Sequence, residues 1–311
     1  MNKKVSIVIP VYNEEESLEK LYFQIKDVLS DNKLENYEII FVNDGSSDNS
    51  VAIIKELIMN DGNIRLISFR RNFGKAMVLE TAFHNVTGDI IITMDADLQD
   101  DPAEIPNFIE RIEAGYDLVS GWKYNRQDPL EKRLPSKLFN RVTSVLSGVK
   151  LHDFNCGFKA YRRIVTDNID IYGELHRYIP VLASRKGFRI TEIKVHHNKR
   201  EFGKSKYGIE RYLRGLFDSI SVSFVSKFYD RPMYFFGRLG LITFLLGFFV
   251  CLYLSIEWCM GVSIGNRPLL LLGVLMILLG VQFFSVGFIG DMLVDATYRN
   301  RYDESHVEEK I

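Results

Sequence analysis

The sequence predicts an α/β domain, with a mostly parallel sheet flanked by helices, followed by an amphipathic interface helix and two transmembrane helices. Two observations support this prediction. In the amino-terminal part, short apolar runs alternate with helical patterns, and such alternation favours a parallel sheet covered on both faces. In the carboxyl-terminal part, two long uncharged runs follow a basic amphipathic pattern, as in chains held at a bilayer.

Short apolar runs mark the predicted strands. They are residues 5–12, 37–42, 64–69, 89–93 and 116–121. Helical patterns lie between the early strands, near residues 15–30, 48–60 and 74–86. The first helix opens with Glu14, Glu15 and Glu16, and the positive end of a helix dipole favours such acidic residues. We expect these elements to form one domain around the sheet.

Composition narrows the class of protein. The chain has 311 residues and a formal net charge of −1, so it is long enough for one α/β domain with an appendage and carries no electrostatic indication of nucleic-acid binding. Cys156, Cys251 and Cys259 lack metal-ligand spacing and fit a reducing cytosol better than a disulfide scaffold. No signal-peptide pattern precedes the first predicted strand.

Two carboxylates, Asp95 and Asp97, follow the fourth predicted strand. Ligands of open α/β sheets bind at the carboxyl ends of strands. One or two carboxylates, with substrate phosphates as the remaining ligands, are a common way to hold Mg²⁺ or Mn²⁺. Taken alone, the pair also fits a solvated acidic turn.

The first two strands end in polar loops at the same predicted edge. Asp44 and Asp48 lie in the second of these loops, and a convergence of such loops favours a nucleotide site. Asp48 fits a helix-capping or turn role equally well. The loops contain neither GxGxxG nor a P-loop motif, which argues against a dinucleotide dehydrogenase or a P-loop NTPase.

Several motifs carry a family resemblance. PVYNE (10–14), NDGSSD (43–48) and DADLQ (95–99) resemble glycosyltransferase family 2, whose members are inverting nucleotide-sugar enzymes with a GT-A fold. LHDFNCGFK (151–159), ELHRYIP (174–180) and REFGKSKY (200–207) resemble the polyprenyl-phosphate glycosyltransferases within that family. The resemblance covers about residues 4–230. One departure is Asn43, where the family more often has Asp.

The resemblance implies a set of site residues. The nucleotide-sugar site would comprise Pro10, Tyr12, Glu14, Asp44, Asp95, Arg200 and Lys204. The metal, Mg²⁺ or Mn²⁺, would be held by Asp95, Asp97 and Gln99. Asp97 and Asp153 are the candidate catalytic carboxylates. Asp153 would take a proton or orient the acceptor, although a structural carboxylate that satisfies backbone donors fits the same residue.

The expected acceptor is a lipid phosphate, which is already an anion near neutral pH. Such an acceptor needs basic residues for positioning more than it needs a strong general base. A dense basic stretch follows the fifth predicted strand and offers Arg126, Arg133 and Ser136 as acceptor-phosphate contacts. Arginine suits this role because it can donate two parallel hydrogen bonds to a phosphate.

The carboxyl-terminal third predicts membrane attachment. The apolar and basic pattern of residues 208–232 predicts an amphipathic helix, which would lie in the membrane interface or pack on the catalytic domain. Residues 234–257 and 268–290 are long and apolar enough to span a bilayer. Arginines flank the outer ends of the two spans, and only Arg267 lies between the spans, so the positive-inside rule places both chain ends in the cytoplasm. The chain is therefore predicted to divide into four segments. They are a cytoplasmic catalytic domain (residues 1–207), the amphipathic interface helix (208–232), a pair of transmembrane helices (233–293) and a cytoplasmic tail (294–311).

The sequence therefore predicts a cell-membrane glycosyltransferase that moves one sugar from a nucleotide-diphosphate sugar, preferably a UDP-sugar, to polyprenyl (undecaprenyl) phosphate. A processive polysaccharide synthase is an alternative, although the Gln-x-x-Arg-Trp motif of such synthases is missing. A non-catalytic membrane assembly subunit is a third reading. Glucose, N-acetylglucosamine, mannose and an aminoarabinose derivative all remain open as the sugar. Gln282 in the second span can face another helix, so homo-oligomerisation also remains open.

Overall fold

The computed structural model describes residues 3–124, 140–141, 143–145, 147–171, 173, 175–198, 231–264 and 267–298. Arg126, Arg133, Ser136, Arg200, Lys204 and nearly all of the predicted amphipathic helix lie outside these ranges. The chain divides into two compact units, Met1–Ser223 with Ser305–Ile311, and Phe224–Glu304.

The first unit contains one seven-stranded sheet. Its strands are β1 (Val5–Val11), β2 (Tyr37–Asn43), β3 (Ile64–Ser68), β4 (Ile90–Thr93), β5 (Leu118–Lys123), β6 (Lys159–Arg162) and β7 (Ile190–Val195). The five predicted strands are confirmed with small shifts at their ends, whereas β6 and β7 were not predicted. The order across the sheet is β3-β2-β1-β4-β6-β5-β7.

The strand directions confirm a mostly parallel sheet. Strands β1 to β4 pair in parallel, and β5 pairs with β7 in parallel. Only β6, among the strands described, runs antiparallel to its neighbours, β4 and β5. This reversed strand separates β4 from β5, which follow each other in sequence, and it brings the residues just before β6 to the carboxyl end of β4.

The helices cover both faces of the sheet. They are α1 (Leu18–Asp31), α2 (Ser50–Asn60), α3 (Lys75–Asn85), α4 (Ile105–Glu113), α5 (Arg163–Thr166) and α6 (Ile179–Arg185). Helices α1, α2 and α4 pack with one core cluster, whereas α3, α5 and α6 pack with the other. Along β1, Ile7 and Ile9 enter the first cluster and Val8 enters the second, because successive side chains of a strand point to opposite faces.

Glu38 on β2 is a buried carboxylate that bonds to side chains on β1 and β3 and to the loop before β4. Its side chain is 4% exposed and lies 3.6 Å from Lys4 Nζ and 3.3 Å from an Arg65 guanidinium nitrogen. Ser6 Oγ and the backbone N–H and hydroxyl of Thr87 all donate hydrogen bonds to it. Burial alone would raise the pKa of Glu38, but these hydrogen bonds and the charge of Lys4 lower that pKa to about 2.

We expect Glu38 to make folding acid-sensitive. Because its pKa is lower in the folded chain than the ordinary value of 4.5, its contribution is fully present above pH 4.5 and is lost as the pH falls towards 2. The shift corresponds to about 3 kcal/mol of unfolding free energy. Thermal unfolding of Glu38→Gln in detergent should show a flatter loss of stability below pH 4.5. Glu56→Gln, on the exposed face of α2, is the control, and equal acid sensitivity of the two variants would contradict the assignment.

The second unit contains two long apolar helices, α7 (Met233–Cys259) and α8 (Pro268–Tyr298). Both are long and apolar enough to cross a membrane, and they include the two predicted spans. Glycines let their backbones approach closely: a Cβ on Gly240 would lie 2.8 Å from the Gly280 carbonyl oxygen, and one on Gly247 would lie 2.6 Å from that of Gly273. Small residues at such contacts are typical of packing between membrane helices.

Candidate active site

The turn after β4 carries the two predicted metal-binding carboxylates. Asp95 and Asp97 are both partly exposed, and Asp97 Oδ1 accepts a hydrogen bond of 3.2 Å from the Gln99 backbone N–H. Leu98, between Asp97 and Gln99, adopts a positive φ of 60°, which tightens the turn. Asp97 and Gln99 thus belong to one local structure, and their role as metal ligands, which the family resemblance implies, stays a prediction.

Asp100 stabilises this turn through its buried side chain. Its side chain is fully buried and lies 3.0 Å from Lys123 Nζ, and its second carboxylate oxygen accepts a hydrogen bond of 3.2 Å from the Asp95 backbone N–H. This role was not predicted from the sequence. The pair with Lys123 holds the backbone at Asp95 against the end of β5.

Asp95 forms an ion pair with Lys75, the first residue of α3. Burial by itself would raise the pKa of Asp95, but the positive charges of Lys75 and Lys123 lower that pKa to about 2. Gly157, in the loop before β6, packs directly on the carboxylate: a Cβ there would lie 2.7 Å from Asp95 Oδ2. Asp95 is therefore ionised and fixed in place at neutral pH.

A cavity of about 110 Å³ opens beside Asp95. Its lining comes from α3, the ends of β4 and β6, the loop before β6 and the turn before α6. The residues are Lys75, Leu79, Thr93, Asp95, Asn155, Cys156, Gly157, Lys159, Tyr161, His176 and Arg177. We call this cavity the cationic pocket, because three of its side chains are basic and only Asp95 is acidic.

Two of these basic residues, Lys159 and Arg177, are buried, with 3% and 8% exposure. Lys159 Nζ donates hydrogen bonds to the carbonyl oxygens of Phe154 and Cys156, and burial lowers its pKa. Burial, together with the positive charges of Lys75 and Arg177, holds the pKa of His176 well below its usual range. His176 is therefore neutral at physiological pH.

The predicted nucleotide loops lie together at the ends of β1 and β2. The Asn13 backbone N–H donates to Ser46 Oγ at 2.9 Å, and the Ser47 N–H donates to Asn13 Oδ1 at 2.8 Å. Tyr12 is 38% exposed, and Pro10 and Glu14 are partly exposed. These two loops therefore form one continuous edge, on which a nucleotide can bind.

Asp44 is more buried than a simple ligand contact requires. It is 6% exposed, and its carboxylate accepts hydrogen bonds from the backbone N–H groups of Phe73, at 2.7 Å, and Gly74, at 3.0 Å. Burial raises the pKa of Asp44 despite these bonds. Asp44 therefore organises the loop that leads into Lys75. Asp48 accepts from the N–H groups of Glu15 and Ser50, which is the turn role weighed for it from the sequence.

Asp153 lies in the loop before β6. It is 2% exposed, and Asp153 Oδ1 accepts a hydrogen bond of 3.0 Å from the Asn155 backbone N–H. Asp153 Oδ2 is buried and has no hydrogen-bond partner among the described residues. Asp153 does not line the cationic pocket, whereas the following residues Asn155 to Gly157 do. One oxygen thus serves the loop, and the other is available to a group outside the described ranges or to substrate.

Sequence reasoning missed Lys75, Lys159 and Arg177 as site residues. Lys159 and Arg177 lie inside motifs 151–159 and 174–180, which carried the family resemblance, and Lys75 follows Gly74, the N-cap residue of α3. Lysine and arginine side chains are ordinarily exposed, so nothing in the local pattern indicated that these side chains line a pocket. The position of Lys159 and Arg177 within the family motifs was the signal that could have identified them as site residues.

The described residues contain no group of three His, Cys, Asp or Glu side chains able to hold a metal ion by themselves. Asp97, with Asp95 and Gln99 nearby in the turn, offers the hard oxygen donors that Mg²⁺ or Mn²⁺ prefers. Asp95 is already engaged by Lys75. The donor set therefore fits a cation that binds together with substrate phosphates, and does not fit a closed structural metal site.

The fold and the site define a GT-A glycosyltransferase domain. Crystal structures of glucosyl-3-phosphoglycerate synthase from Mycobacterium tuberculosis are similar to this chain. For its complex with Mn²⁺, uridine diphosphate and phosphoglyceric acid, the TM-score is 0.53 and the sequence identity is 18%. The match covers 72% of this chain and 78% of that one. A complex of that enzyme with Mn²⁺ and UDP-glucose has a TM-score of 0.52. At this identity the likeness establishes the fold.

The chain belongs to glycosyltransferase family 2. The family model for Glycosyl transferase family 2 matches residues 6–170. The chain is 35% identical to the dodecaprenyl-phosphate galacturonate synthase of Rhizobium johnstonii, over 99% of this chain and 93% of that protein. It is 38% identical to the undecaprenyl-phosphate 4-deoxy-4-formamido-L-arabinose transferase of Yersinia pestis, over 94% of this chain and 88% of that protein. The predicted family is thus confirmed, and these relatives are polyprenyl-phosphate sugar transferases.

Proposed function

We propose that this protein transfers one sugar from a nucleotide-diphosphate sugar, preferably a UDP-sugar, to polyprenyl phosphate, with undecaprenyl phosphate as the preferred acceptor. The observation that carries the proposal is the ordered Asp95–Asp97 turn at the carboxyl end of β4, beside a pocket of about 110 Å³. The names of the two curated relatives, which cover nearly the whole chain, support the lipid acceptor.

The reaction is a single displacement at the anomeric carbon. An oxygen of the acceptor phosphate forms the new bond, the bond from the anomeric carbon to the nucleoside diphosphate breaks, and the electron pair leaves with the diphosphate. The configuration at that carbon is therefore inverted. The acceptor phosphate is largely dianionic near neutral pH, so it attacks without a strong general base.

Each part of the site has a role in this displacement. The edge formed by Tyr12, Glu14 and the Asp44 loop binds the nucleoside, and Asp97, with Asp95 and Gln99, would hold Mg²⁺ or Mn²⁺. A bound divalent cation neutralises charge that develops on the leaving diphosphate. Lys75 holds the Asp95 carboxylate in place. Asp153 orients the acceptor through its remaining oxygen.

The other predicted contacts complete the proposal. Arg200 and Lys204 would close on the donor diphosphate, whereas Arg126, Arg133 and Ser136 would hold the acceptor phosphate. Helices α7 and α8 would anchor the enzyme in the cell membrane, with the catalytic unit and both termini in the cytoplasm. In that position, the site would lie on the side of the membrane where nucleotide sugars are made.

A direct assay tests the function. Purified protein in lipid is incubated with undecaprenyl phosphate, Mg²⁺ or Mn²⁺ and a panel of radiolabelled nucleotide sugars, and label in the organic phase is counted. We expect transfer from one donor, one sugar per lipid, and loss of transfer with EDTA. Products with several sugars per lipid would favour a processive synthase, and no transfer from any donor by folded protein would favour an assembly subunit.

A further inference from the structure

We propose that an exposed group of aromatic and basic side chains at the end of β5 docks onto the headgroup layer of a bilayer that contains anionic lipids. We call this group the aromatic–lysine cluster, and it consists of Trp122, Tyr124, His152, Glu192 and Lys194. The inference adds an interaction surface that the proposed function does not assign. It rests on that function for one step, the position of the acceptor phosphate.

The aromatic–lysine cluster is built from two neighbouring strands and one loop. Trp122 on β5 and Lys194 on β7 are partners in the sheet register. The His152 ring, from the loop before β6, stacks on the Trp122 ring at 4.0 Å and 11°. Glu192 on β7 holds His152 there, because it accepts a hydrogen bond of 2.8 Å from the His152 backbone N–H and pairs with the imidazole ring. The rings are thus ordered before any partner binds, which lowers the entropic cost of docking.

The outer side of the cluster combines aromatic surface with positive charge. Tyr124 is 63% exposed, and its ring meets the Trp122 ring edge-on with centroids 5.1 Å apart. Lys194 is exposed, and its Nζ atom lies 4.5 Å from the centre of the Tyr124 ring and 5.5 Å from that of the Trp122 ring. The ammonium charge is therefore presented together with two aromatic rings.

Such a combination suits the interface of a bilayer. Tryptophan and tyrosine have an apolar body and a polar tip, and they are enriched at the level of the lipid headgroups. A lysine places its apolar stem along apolar surface while its ammonium group remains among polar groups. The negative surface potential of anionic lipids attracts a basic residue at this level. The chemistry of the cluster therefore fits a headgroup layer with negative charge.

The position of the cluster in the chain favours the same partner. Tyr124 precedes the proposed acceptor contact Arg126 by two residues, and two residues of chain span at most about 7 Å. The phosphate of a polyprenyl lipid lies in the headgroup layer, because its hydrocarbon tail lies in the bilayer core. Each headgroup layer is about 5–8 Å thick. If Arg126 holds that phosphate, Tyr124 and the rings that contact it must lie at the same layer.

The fluorescence of Trp122 tests this contact without turnover. The chain has two tryptophans, Trp122 and Trp258, so full-length Trp258→Phe emits from Trp122 alone. This variant is placed in nanodiscs of phosphatidylcholine and phosphatidylglycerol, with or without a phosphatidylcholine that carries a nitroxide quencher on its headgroup. We expect the quencher lipid to reduce the emission of Trp122. Unchanged emission would overturn the inference.

A reporter on the other face of the sheet provides the matched control. Trp122 points to the same face as Leu118, four residues earlier on β5, because side chains alternate along a strand. That face packs with α3, α5 and α6, whereas α1 packs on the opposite face. Phe23 on α1 is 53% exposed, so Phe23→Trp in a chain without the two native tryptophans reports that side. Its emission should fall less than that of Trp122, and an equal loss at both positions would overturn the inference.

Variants of the exposed side chains measure what the contact contributes to acceptor use. Lys194→Ser should raise the KM for undecaprenyl phosphate about fivefold in these nanodiscs, and leave the Kd for UDP unchanged. Lys194→Arg should keep the KM of the parent protein, because it keeps the charge. High salt should reduce the effect of Lys194→Ser, because salt screens exposed charges. Tyr124→Ser should raise the same KM through loss of the aromatic contact.

The control for loss of a surface lysine is Lys55→Ser, on the exposed face of α2, which should leave every quantity unchanged. Thermal unfolding shows whether each variant remains folded, and the quenching of Trp122 decides the matter if Lys194→Ser or Tyr124→Ser does not fold. An unchanged KM in folded Lys194→Ser and folded Tyr124→Ser would overturn the assignment of the cluster.

The outcomes separate this inference from the proposed function. Quenching of Trp122 in a protein that transfers no sugar would support the membrane contact and contradict the proposed reaction. Transfer to lipid without quenching would support the reaction and overturn the contact. Quenching that appears only after undecaprenyl phosphate is added would make the cluster part of the acceptor site, and this result would also overturn the inference.

Discussion

Asp97→Ala should lower the rate of sugar transfer by about a thousandfold and leave the fold intact. Loss of one group that stabilises developing charge typically costs a factor of a hundred to a thousand, and Asp97 is also the leading candidate to hold the divalent cation. Its side chain is partly exposed, and Asp97 Oδ1 accepts a hydrogen bond of 3.2 Å from the Gln99 backbone N–H. Removing it therefore opens no cavity in the hydrophobic core.

The measurement is kcat and kcat/KM for the donor over a range of Mg²⁺ and Mn²⁺ concentrations. The kcat of Asp97→Asn should fall nearly as far as that of Asp97→Ala, because the amide keeps an oxygen ligand for the cation but loses the negative charge. Asp27→Ala, on the exposed face of α1, removes an aspartate that belongs to none of the site motifs and should leave the rate unchanged. Full turnover by folded Asp97→Ala would contradict the role assigned to this residue.

Gly157→Ala should lower the transfer rate by about a hundredfold through geometry alone. The added methyl carbon would lie 2.7 Å from Asp95 Oδ2 and 2.8 Å from Asp95 Cγ, closer than non-bonded atoms can approach. Either the carboxylate or the loop before β6 must therefore move. A displacement of about 1 Å in a catalytic group can cost a hundredfold in rate, and Lys75 would lose its fixed partner as well.

The control for this prediction is Gly62→Ala, because a Cβ at Gly62 meets no atom within 4 Å. The two variants make the same chemical change, so a difference in kcat between them reports the contact with Asp95. Overpacking costs about 1–3 kcal/mol in stability, and thermal unfolding at the assay temperature shows whether Gly157→Ala remains folded. A rate equal to that of Gly62→Ala would show that the position of the Asp95 carboxylate does not limit transfer.

Local sequence pattern determined much of this protein. Strands β1 to β5 and helices α1 to α3 follow from apolar runs and helical periodicity, because the first strands are buried and their hydrophobic residues are contiguous. The Asp95–Asp97 turn followed from two carboxylates directly after such a run. The two long apolar helices followed from uncharged stretches of the required length. Family motifs, which are local in sequence, supplied the reaction class.

The tertiary structure alone decided how the site is assembled. Strand β6 has the sequence Lys-Ala-Tyr-Arg, in which no alternation identifies a strand, and its place between β4 and β5 depends on sheet order. That placement brings Gly157 and Lys159 beside Asp95, which lies more than sixty residues earlier. Lys75, Lys159 and Arg177 are cations in sequence and would ordinarily be solvated. Only long-range packing gathers them around one pocket, because the burial of Lys159 and Arg177 and the position of Lys75 depend on the surrounding elements and are not encoded in any short stretch of chain.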